Sequence, residues 1–291
     1  MKSFSIFILL VLLRMFAFTQ NYSTLIKNTL SQKLSNPIEY QILNSNIHGY
    51  KVRMYFSQID SIMVTEKKPV KTYYFDEIGN LKIFVSGEYD SLVYKYFGRN
   101  SRPEIIKYYY HDQFGESKFI YENNKINIYS NTIDKSNEII LNKKEELQIK
   151  DSKNSLQYIL KSSDSIFEKV TYLYKKDQII EEILECFHPN PTILHYKVIT
   201  LNDSVDFIVK NNDELYSFGY FIYNDLNNIS ECFLVDNFSP MKNIKFIYKD
   251  NFLVEILESQ IEDIYPNLPL DLYKLVPSNK ILLTYEKIQV P

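Results

Sequence analysis

Histidines and carboxylates are the side chains of this sequence best suited to acid–base or metal chemistry, and they are few and scattered. The chain has four histidines. His188 and His195 are seven positions apart and flank the turn Pro189-Asn190-Pro191. No cysteine or carboxylate stands at ligand spacing beside them, whereas a closed metal site usually has four protein ligands. Two loop histidines are therefore the preferred interpretation, and the sequence predicts no metal site.

Paired acidic residues are a second place to look for catalysis. Glu145-Glu146 and Glu181-Glu182 lie beside lysines or within strands, so we interpret them as parts of a solvated face. The chain has neither a G-x-S-x-G nor an H-E-x-x-H motif, and its six glycines leave little material for a phosphate loop. A net charge of -3 provides no basic footprint for nucleic acid. The sequence thus predicts no catalytic residue, no cofactor and no nucleic-acid partner.

Aromatic residues set the character of the chain and favour β structure. It has 25 tyrosines and 19 phenylalanines among 291 residues, with 45% hydrophobic residues, enough for a large core. Both aromatic types favour pleated, half-buried surfaces. From about residue 39 the apolar pattern has a period of two, and short connections make successive strands neighbours. We predict an all-β fold, an extended antiparallel meander of hairpins in a twisted or coiled sheet, with one short N-terminal helix.

The first residues have the pattern of an export signal. Lys2 precedes an apolar run at residues 4–13, and the small residues Ala17 and Thr19 stand at the positions that a signal peptidase reads. A signal anchor is the alternative, but Arg14 interrupts the run long before the roughly 20 apolar residues that a spanning helix needs. We predict a cleaved signal peptide at residues 1–19 and an exported protein that is periplasmic, secreted or on the cell surface, with no transmembrane helix after cleavage.

A short helical segment is predicted next, within residues 20–38. Apolar residues recur there at four-residue spacing, so they share one face of a helix over residues 22–35. Asn36-Pro37 is expected to end this helix, because proline disfavours helical geometry in the residue before it. We interpret the helix as a cap over the first strands of a hairpin domain at residues 39–291.

One hairpin motif recurs through that domain. Its clearest copy combines an aromatic residue, turn-forming polar residues and an apolar residue: Phe75, Asp76, Gly79, Asn80 and Leu81. Aspartate, asparagine and glycine suit such turns because they accept left-handed backbone angles or bond their own backbone. Further copies are aligned on the residue that precedes each turn, which we place at Tyr74, Tyr96, Tyr121, Leu141, Leu160, Tyr174, Ile199, Tyr223 and Tyr248. We expect the turn-preceding aromatics, Tyr74 and Tyr223 among them, to be core residues.

This motif resembles the YD repeat of Rhs-type and related bacterial surface proteins. That family's pattern is an aromatic residue, aspartate, two free positions, glycine, one free position and an apolar residue, which Phe75 to Leu81 fill. The resemblance implies a long antiparallel sheet of hairpins that coils, and it gives the motif residues a structural role.

About twenty strands in one sheet pose a physical problem. Open, strongly twisted sheets seldom exceed about ten strands. The sheet therefore either coils on itself or splits into two stretches packed face to face. The weak repeats at residues 130–165 mark either such a break or exposed hairpins, and the two alternatives stay open.

Two further expectations follow from the strand pattern. Ile244, Phe246 and Tyr248 share one face, and after the next turn Phe252, Val254 and Ile256 are expected to continue it, with the charged residues opposite. Cys186 and Cys232 lie four strand spacings apart in a simple meander, about 19 Å at 4.8 Å each. A disulfide needs Cα atoms within about 7 Å, so two free, mostly buried thiols are predicted.

Three function classes are compatible with these features. The first is a non-enzymatic envelope protein that serves as a binding or scaffold module. It would bind protein or glycan through an exposed tyrosine-rich face, since tyrosine offers rigid amphipathic contact area. The second is an outer-membrane β-barrel. Charges on the strand faces and the lack of a regular alternation of long and short loops argue against it. The third is an unrecognised enzyme, which no residue pattern supports.

Overall fold

The computed structural model describes most of the chain between residues 36 and 288. The described ranges are 36–45, 47–58, 68–87, 90–96, 103–110, 113–134, 136, 139–162, 165–175, 178–187, 191–201, 204–226, 228–236, 239–261 and 275–288. The predicted signal peptide and the predicted helix at residues 22–35 lie outside them.

One short helix and eighteen strands make up the described chain. In order they are α1 (Pro37–Asn44), β1 (Tyr50–Gln58), β2 (Lys71–Phe75), β3 (Leu81–Ser86), β4 (Asp90–Tyr96), β5 (Pro103–Tyr110), β6 (Gln113–Glu122), β7 (Lys125–Ile133), β8 (Ile139–Ser152), β9 (Ser155–Ser162), β10 (Ser165–Lys175), β11 (Gln178–Cys186), β12 (Thr192–Leu201), β13 (Ser204–Asn211), β14 (Glu214–Tyr223), β15 (Ile229–Asp236), β16 (Ser239–Lys249), β17 (Phe252–Ile261) and β18 (Leu275–Lys287). The all-β prediction is confirmed.

The sheet is an antiparallel meander that closes on itself. Each strand pairs with the next, and β18 pairs with β1 over nine residue pairs from Tyr50↔Lys287 to Gln58↔Asn279. Closure removes both edges, which answers the problem of strand number. Of the two arrangements that the sequence allows, the structure has the coiled one, closed into an 18-stranded barrel.

The barrel has an apolar inner face and a mixed, charged outer face. Inward side chains all round the ring are almost completely buried, for example Tyr73 at 0%, Ile128 at 0%, Phe207 at 2% and Ile281 at 1% exposure. They belong to one continuous core that includes α1. Charged residues such as Lys280 and Glu255 pair across neighbouring strands on the opposite face. Only the inside of a closed sheet can hide side chains so fully without a second layer.

The inner side chains also indicate the shape of the barrel. Eighteen strands spaced about 4.8 Å apart have a perimeter of about 86 Å, hence a diameter of at least about 27 Å if the barrel were round. Such a cylinder would leave its inner face wet, as in large porins. Because the described inner face is dry, the walls must approach one another, near the roughly 10 Å spacing of stacked sheets.

The chain begins and finishes its barrel at the same end. We call this the termini end: it holds the start of β1, the close of β18 and the connection after each even-numbered strand. The other end, which we call the far end, holds the connection after each odd-numbered strand. The helix α1 precedes β1 and therefore lies at the termini end.

One expectation about the N-terminal region is wrong, and the start of a helix at Asn36-Pro37 was not predicted. Asn36 caps the start of α1, its side chain accepting a bond from the Glu39 N–H, and Pro37 occupies the first turn. Proline is favoured there because its missing N–H has no partner in a first turn. Strand pairing begins at Tyr50 rather than near residue 39, since α1 occupies the intervening residues.

Of the predicted turn positions, one is wrong, Leu141, and another, Leu160, precedes a turn at the opposite end of the barrel from the others. Tyr74, Tyr96, Tyr121, Tyr174, Ile199, Tyr223 and Tyr248 each lie within two residues of the strand end that precedes a termini-end turn. Leu141 lies inside the long strand β8, and Leu160 precedes a far-end turn. The strands β7, β8, β9 and β10 pair without interruption, so the sheet is continuous across residues 130–165.

Two assignments of side chains to faces are also wrong. The alternation within β2 is regular: Tyr73 and Phe75 face inward, so Tyr74 between them faces outward, beneath the Lys51 ammonium. In β17 the cause is a β-bulge: the irregularity opposite Ile247/Tyr248 makes Leu253, rather than Val254, the buried residue after that turn. An extra residue in one strand reverses the facing of every residue beyond it.

Candidate functional site

The predicted hairpin motif forms a hydrogen-bonded turn at the termini end. Phe75 and Leu81 pair across the β2–β3 hairpin and are both buried. Between them, Asp76 Oδ1 accepts bonds from the Ile78 N–H at 3.1 Å and the Asn80 N–H at 2.8 Å. The Asn80 amide donates to Asp76 Oδ2 at 3.3 Å. The motif residues therefore hold the backbone of a turn, as a structural role requires.

Glycine is needed at one position of this turn. Gly79 has φ +84, a conformation that side chains rarely adopt. A Cβ built there would lie 3.1 Å from the His48 ring and 3.3 Å from the Ile47 carbonyl oxygen. The turn thus packs closely against the segment that joins α1 to β1.

A second copy of the motif lies between β14 and β15. Asn224 Oδ1 accepts bonds from the Leu226 N–H at 3.1 Å and the Asn228 N–H at 3.0 Å, as Asp76 does in the first copy. Tyr223 enters this turn half-buried against the core, and the Tyr248 hydroxyl donates to the Ile229 carbonyl at 2.8 Å. The alignment of these two copies is therefore confirmed in their hydrogen bonds.

The helix α1 fills the mouth of the barrel between the two turns. On one side Glu39 Oε1 accepts a bond from the Tyr73 hydroxyl at 3.2 Å and lies 3.7 Å from the Lys71 ammonium. On the other side the Gln41 amide donates to Asn228 Oδ1, and its oxygen accepts the Ile229 N–H, both at 3.4 Å. The helix is thus a plug held across the lumen by polar contacts.

Polar side chains also line part of the inner wall, on strands β5 to β8 towards the far end. Ser117 and Ser130 exchange a hydroxyl hydrogen bond at 2.9 Å, and both are buried. The Tyr108 hydroxyl bonds Thr132 Oγ1, and the Tyr108 ring fills the space above a glycine, Gly115. These strands therefore give the lumen a polar wall on one side.

A buried ion pair completes this polar wall. The Lys143 ammonium lies 2.5 Å from Glu145 Oε1 and 5.1 Å from the centre of the Phe167 ring. Glu145 is 2% exposed, and its second oxygen, Oε2, is buried with no hydrogen-bond partner. A carboxylate oxygen in this state costs stability and is a ready acceptor for a donor group. Lys143 and Glu145 thus place an ion pair with one unused acceptor oxygen in the lumen wall.

Each acidic pair singled out in the sequence is divided between the two faces. Glu146 and Glu181 lie on the outer face, where Glu146 contacts Lys125 at 3.5 Å, so the solvated interpretation holds for them. It is wrong for Glu145 and Glu182, which point inward, Glu182 with 0% exposure. Adjacent residues of a strand always face opposite sides, so a pair cannot be wholly solvated in a closed sheet.

A sequence signal for the buried glutamate exists within β8. Glu145 shares its strand phase with Leu147 and Ile149, which face the core, and with Lys143. Alternate residues line one face, so this apolar series marks Lys143 and Glu145 as inward. An interpretation of Glu145-Glu146 as one acidic pair overlooks this alternation of inward and outward residues.

The remaining candidates for chemistry lie apart from the lumen wall. His195 is on β12 with its ring on the outer face, 2.6 Å from Glu181 Oε1, and His188 lies outside the described residues. In the described part of the chain no group of histidine, cysteine, aspartate and glutamate side chains is placed to hold a metal ion. Cys186 and Cys232 are both free, Cys232 buried and Cys186 half-buried, as predicted.

Comparison with known proteins finds little resemblance. No known protein family matches this chain, and no curated protein does. Among solved structures, a porin-like protein from Bacteroides uniformis ATCC 8492 is similar with a TM-score of 0.39 and 8% identity, over 81% of this chain and 97% of that one. Among the described residues, no helix has the length and apolar character to cross a membrane.

Proposed function

We propose that this chain is an outer-membrane β-barrel of the bacterial envelope, with its lumen filled and its mouth plugged. The observation that carries the proposal is closure: eighteen antiparallel strands join in sequence order, and the last pairs with the first. Water-soluble up-and-down barrels are small, whereas closed antiparallel barrels of sixteen or more strands are typical of outer-membrane proteins, which also have even strand numbers.

The lengths of the connections support the same assignment. The two longest connections, residues 59–70 and 262–274, are both at the far end. At the termini end no connection between strands is longer than residues 97–102. Outer-membrane barrels have short periplasmic turns and longer extracellular loops. This pattern would orient α1 and both ends of the barrel towards the periplasm.

A second candidate is a water-facing barrel that serves as a binding or scaffold module of the envelope. The distribution of charge favours it. Pairs such as Lys107–Glu116 at 3.6 Å and Lys169–Glu185 at 2.5 Å lie on the outer face, and the inner face is apolar. Porin-type barrels have the opposite arrangement, and a lysine or arginine facing lipid at the midplane costs about 2–4 kcal/mol. In this candidate the outward tyrosines would be the binding surface.

Membrane extraction separates the two candidates. The full chain would be produced in a bacterium with an outer membrane, and the membranes washed with alkaline carbonate. An integral barrel stays in the washed outer-membrane fraction and is released only by detergent. Recovery of the folded chain in the wash, or in the soluble periplasm, would refute the membrane assignment and leave the water-facing barrel.

A pair of cysteine variants refines this test. Ile247 lies within β16, two residues before the strand ends, and is 41% exposed, and Ile78 lies at a turn and is 50% exposed. Each would be replaced by cysteine in a Cys186→Ser background and labelled with a polarity-sensitive dye. Lipid contact predicts a blue-shifted emission at position 247 only, whereas equal emission at both positions contradicts it.

Export, a non-catalytic role and kinship with YD-repeat proteins belong to this proposal as well. Export follows from the pattern of residues 1–19 and is required by either candidate. A non-catalytic role is supported by the position of His195, which is on the outer face, away from Glu145. Kinship with the YD repeat is supported by the shared hydrogen bonds of the Asp76 and Asn224 turns.

A further inference from the structure

We propose that α1 is a displaceable plug, which leaves the mouth of the barrel while the eighteen strands stay closed. The inference is independent of whether the wall faces lipid or water. It rests on how the helix is held, on the segment that joins it to β1, and on what lies beneath it.

The polar attachment of α1 is weak for a buried element. Both bonds between Gln41 and the second turn are 3.4 Å long, near the limit of hydrogen-bond geometry. On the opposite side Glu39 accepts a bond from the Tyr73 hydroxyl at 3.2 Å and lies 3.7 Å from the Lys71 ammonium. A helix of eight residues is marginal by itself, so its stability depends on docking. Loss of these polar contacts together with the apolar packing therefore releases the helix as a unit.

Apolar contacts make the docked position the major state. Ile42 is 0% exposed and Tyr40 is 8% exposed, so both lose burial when the helix leaves. Burial, with a smaller contribution from Tyr223, raises the pKa of the Tyr40 hydroxyl. The open state is then a minority population, of the kind seen in local opening reactions.

The link between α1 and β1 provides a pivot. Gly49 has φ +70, and a Cβ built on it would meet nothing within 4 Å. Its N–H donates to the Asp76 carbonyl at 2.7 Å, and its carbonyl accepts the Ile288 N–H at 2.8 Å. These two bonds fix Gly49 to the wall, so β1 keeps its position when the helix leaves.

A native thiol lies on the inner wall close to the docking point of the plug, three residues beyond Ile229, whose N–H bonds Gln41. Cys232 is 0% exposed on the inner face of β15 and is paired with Phe221, two residues before Tyr223. Cys186 is half-buried at the far-end terminus of β11, remote from the plug. The chain therefore carries a reporter and an internal reference without any substitution.

Thiol labelling of the full chain tests the inference. The folded protein would be exposed to a maleimide, and the modification of each cysteine followed by peptide mass spectrometry. We expect Gln41→Ala, which removes both bonds to the second turn, to accelerate labelling of Cys232 about tenfold and to leave Cys186 unchanged. Gln148→Ala is the matched control: Gln148 bonds Glu146 on the outer face, and its loss should change neither rate.

The dependence on denaturant distinguishes plug opening from unfolding of the barrel. Release of one short helix exposes little surface, so labelling of wild-type Cys232 should change only slightly with urea below the unfolding midpoint. The inference is overturned if Cys232 labelling has the full denaturant slope of global unfolding, or if Gln41→Ala folds and labels at the wild-type rate. The wild-type urea series decides the matter even if Gln41→Ala does not fold.

Discussion

The turn after β2 and the turn after β14 have different sequences and the same hydrogen bonds. Asp76 and Asn224 occupy equivalent positions, and each side-chain oxygen accepts two backbone N–H groups at 2.8–3.1 Å. The turn thus requires a side-chain acceptor oxygen two residues before a backbone N–H. Whether that side chain is charged, as in Asp76, or neutral, as in Asn224, matters less.

The two turns differ in what they hold. The carbonyl of Asp76 fixes Gly49 at the start of β1, whereas Asn228 and the Ile229 N–H receive the Gln41 side chain of α1. One repeated unit therefore serves as a wall anchor in one place and as a dock for the plug in another. The repeat specifies the scaffold, and local side chains determine its use.

The largest expected effect tests whether the strands entering the two turns share one inward phase. Tyr73→Ala removes a fully buried ring and should lower the free energy of unfolding by about 3–5 kcal/mol, and Phe221→Ala, at 1% exposure, should match it. Tyr74→Ala removes an outward ring beneath the Lys51 ammonium and should cost less than about 1 kcal/mol. Urea midpoints measure all three. An equal loss for Tyr73 and Tyr74 would mean that the strand phase assigned here is incorrect.

Substitution of glycine separates backbone strain from crowding at the first turn. The reference is Gly87, which follows β3 at the far end. Gly87→Ala forces a side chain into φ +68 with open space around it, at a cost of about 1–2 kcal/mol. Gly79→Ala adds contact with the His48 ring at 3.1 Å and should therefore destabilise further, to about 2–3 kcal/mol. Thermal unfolding of the two variants provides the comparison. Equal losses would show that His48 moves aside freely.

Removing the acceptor oxygen should affect both turns to a similar degree. Asp76→Ala and Asn224→Ala each leave two backbone donors without their partner and should cost about 1–2 kcal/mol. Asp76→Asn retains the oxygen and should cost under about 0.5 kcal/mol. If Asp76→Asn were as harmful as Asp76→Ala in denaturant titrations, charge would be the essential property and the two turns would not be equivalent.

The smallest effect is expected at the tips of the turns. Ile78 is 50% exposed and Leu226 is 60% exposed, at matching positions. Ile78→Ser and Leu226→Ser should each change the free energy of unfolding by less than about 0.5 kcal/mol, because neither side chain is part of the core. A larger loss at one tip only, seen in the same titrations, would reveal a contact that distinguishes the two turns.

The hairpin order was predictable because it is encoded locally. Alternation of apolar residues identifies strands, and turn residues such as Asp76 and Asn224 identify where they reverse. The start of α1 also has a local signal: Asn36 at the cap, Pro37 after it and Glu39 in the first turn form a helix N-terminus. An interpretation of Pro37 only as a helix breaker overlooks this signal.

The faces of individual side chains were less predictable. A bulge after Leu253 reverses the alternation in β17, and no residue type marks its position. Lys143 and Glu145 face the same side of β8 as Leu147, which is the lumen side. The charge of Glu145, considered without its neighbours, predicts a solvent-exposed side chain instead. Closure itself depends on the pairing of β1 with β18. These two strands are far apart along the chain, so no local sequence signal connects them.

That closing pair has a consequence for how the barrel assembles. Every other strand pair joins neighbours in sequence, so those hairpins can form early and quickly. Pairing Tyr50 with Lys287 brings together the two ends of the described chain and requires most of the sheet to exist first. Until that step, β1 and β18 present two unpaired edges of matching register. A second molecule at the same stage offers the same edges, so the time spent unclosed, rather than the stability of the finished barrel, sets the risk of strand exchange between chains.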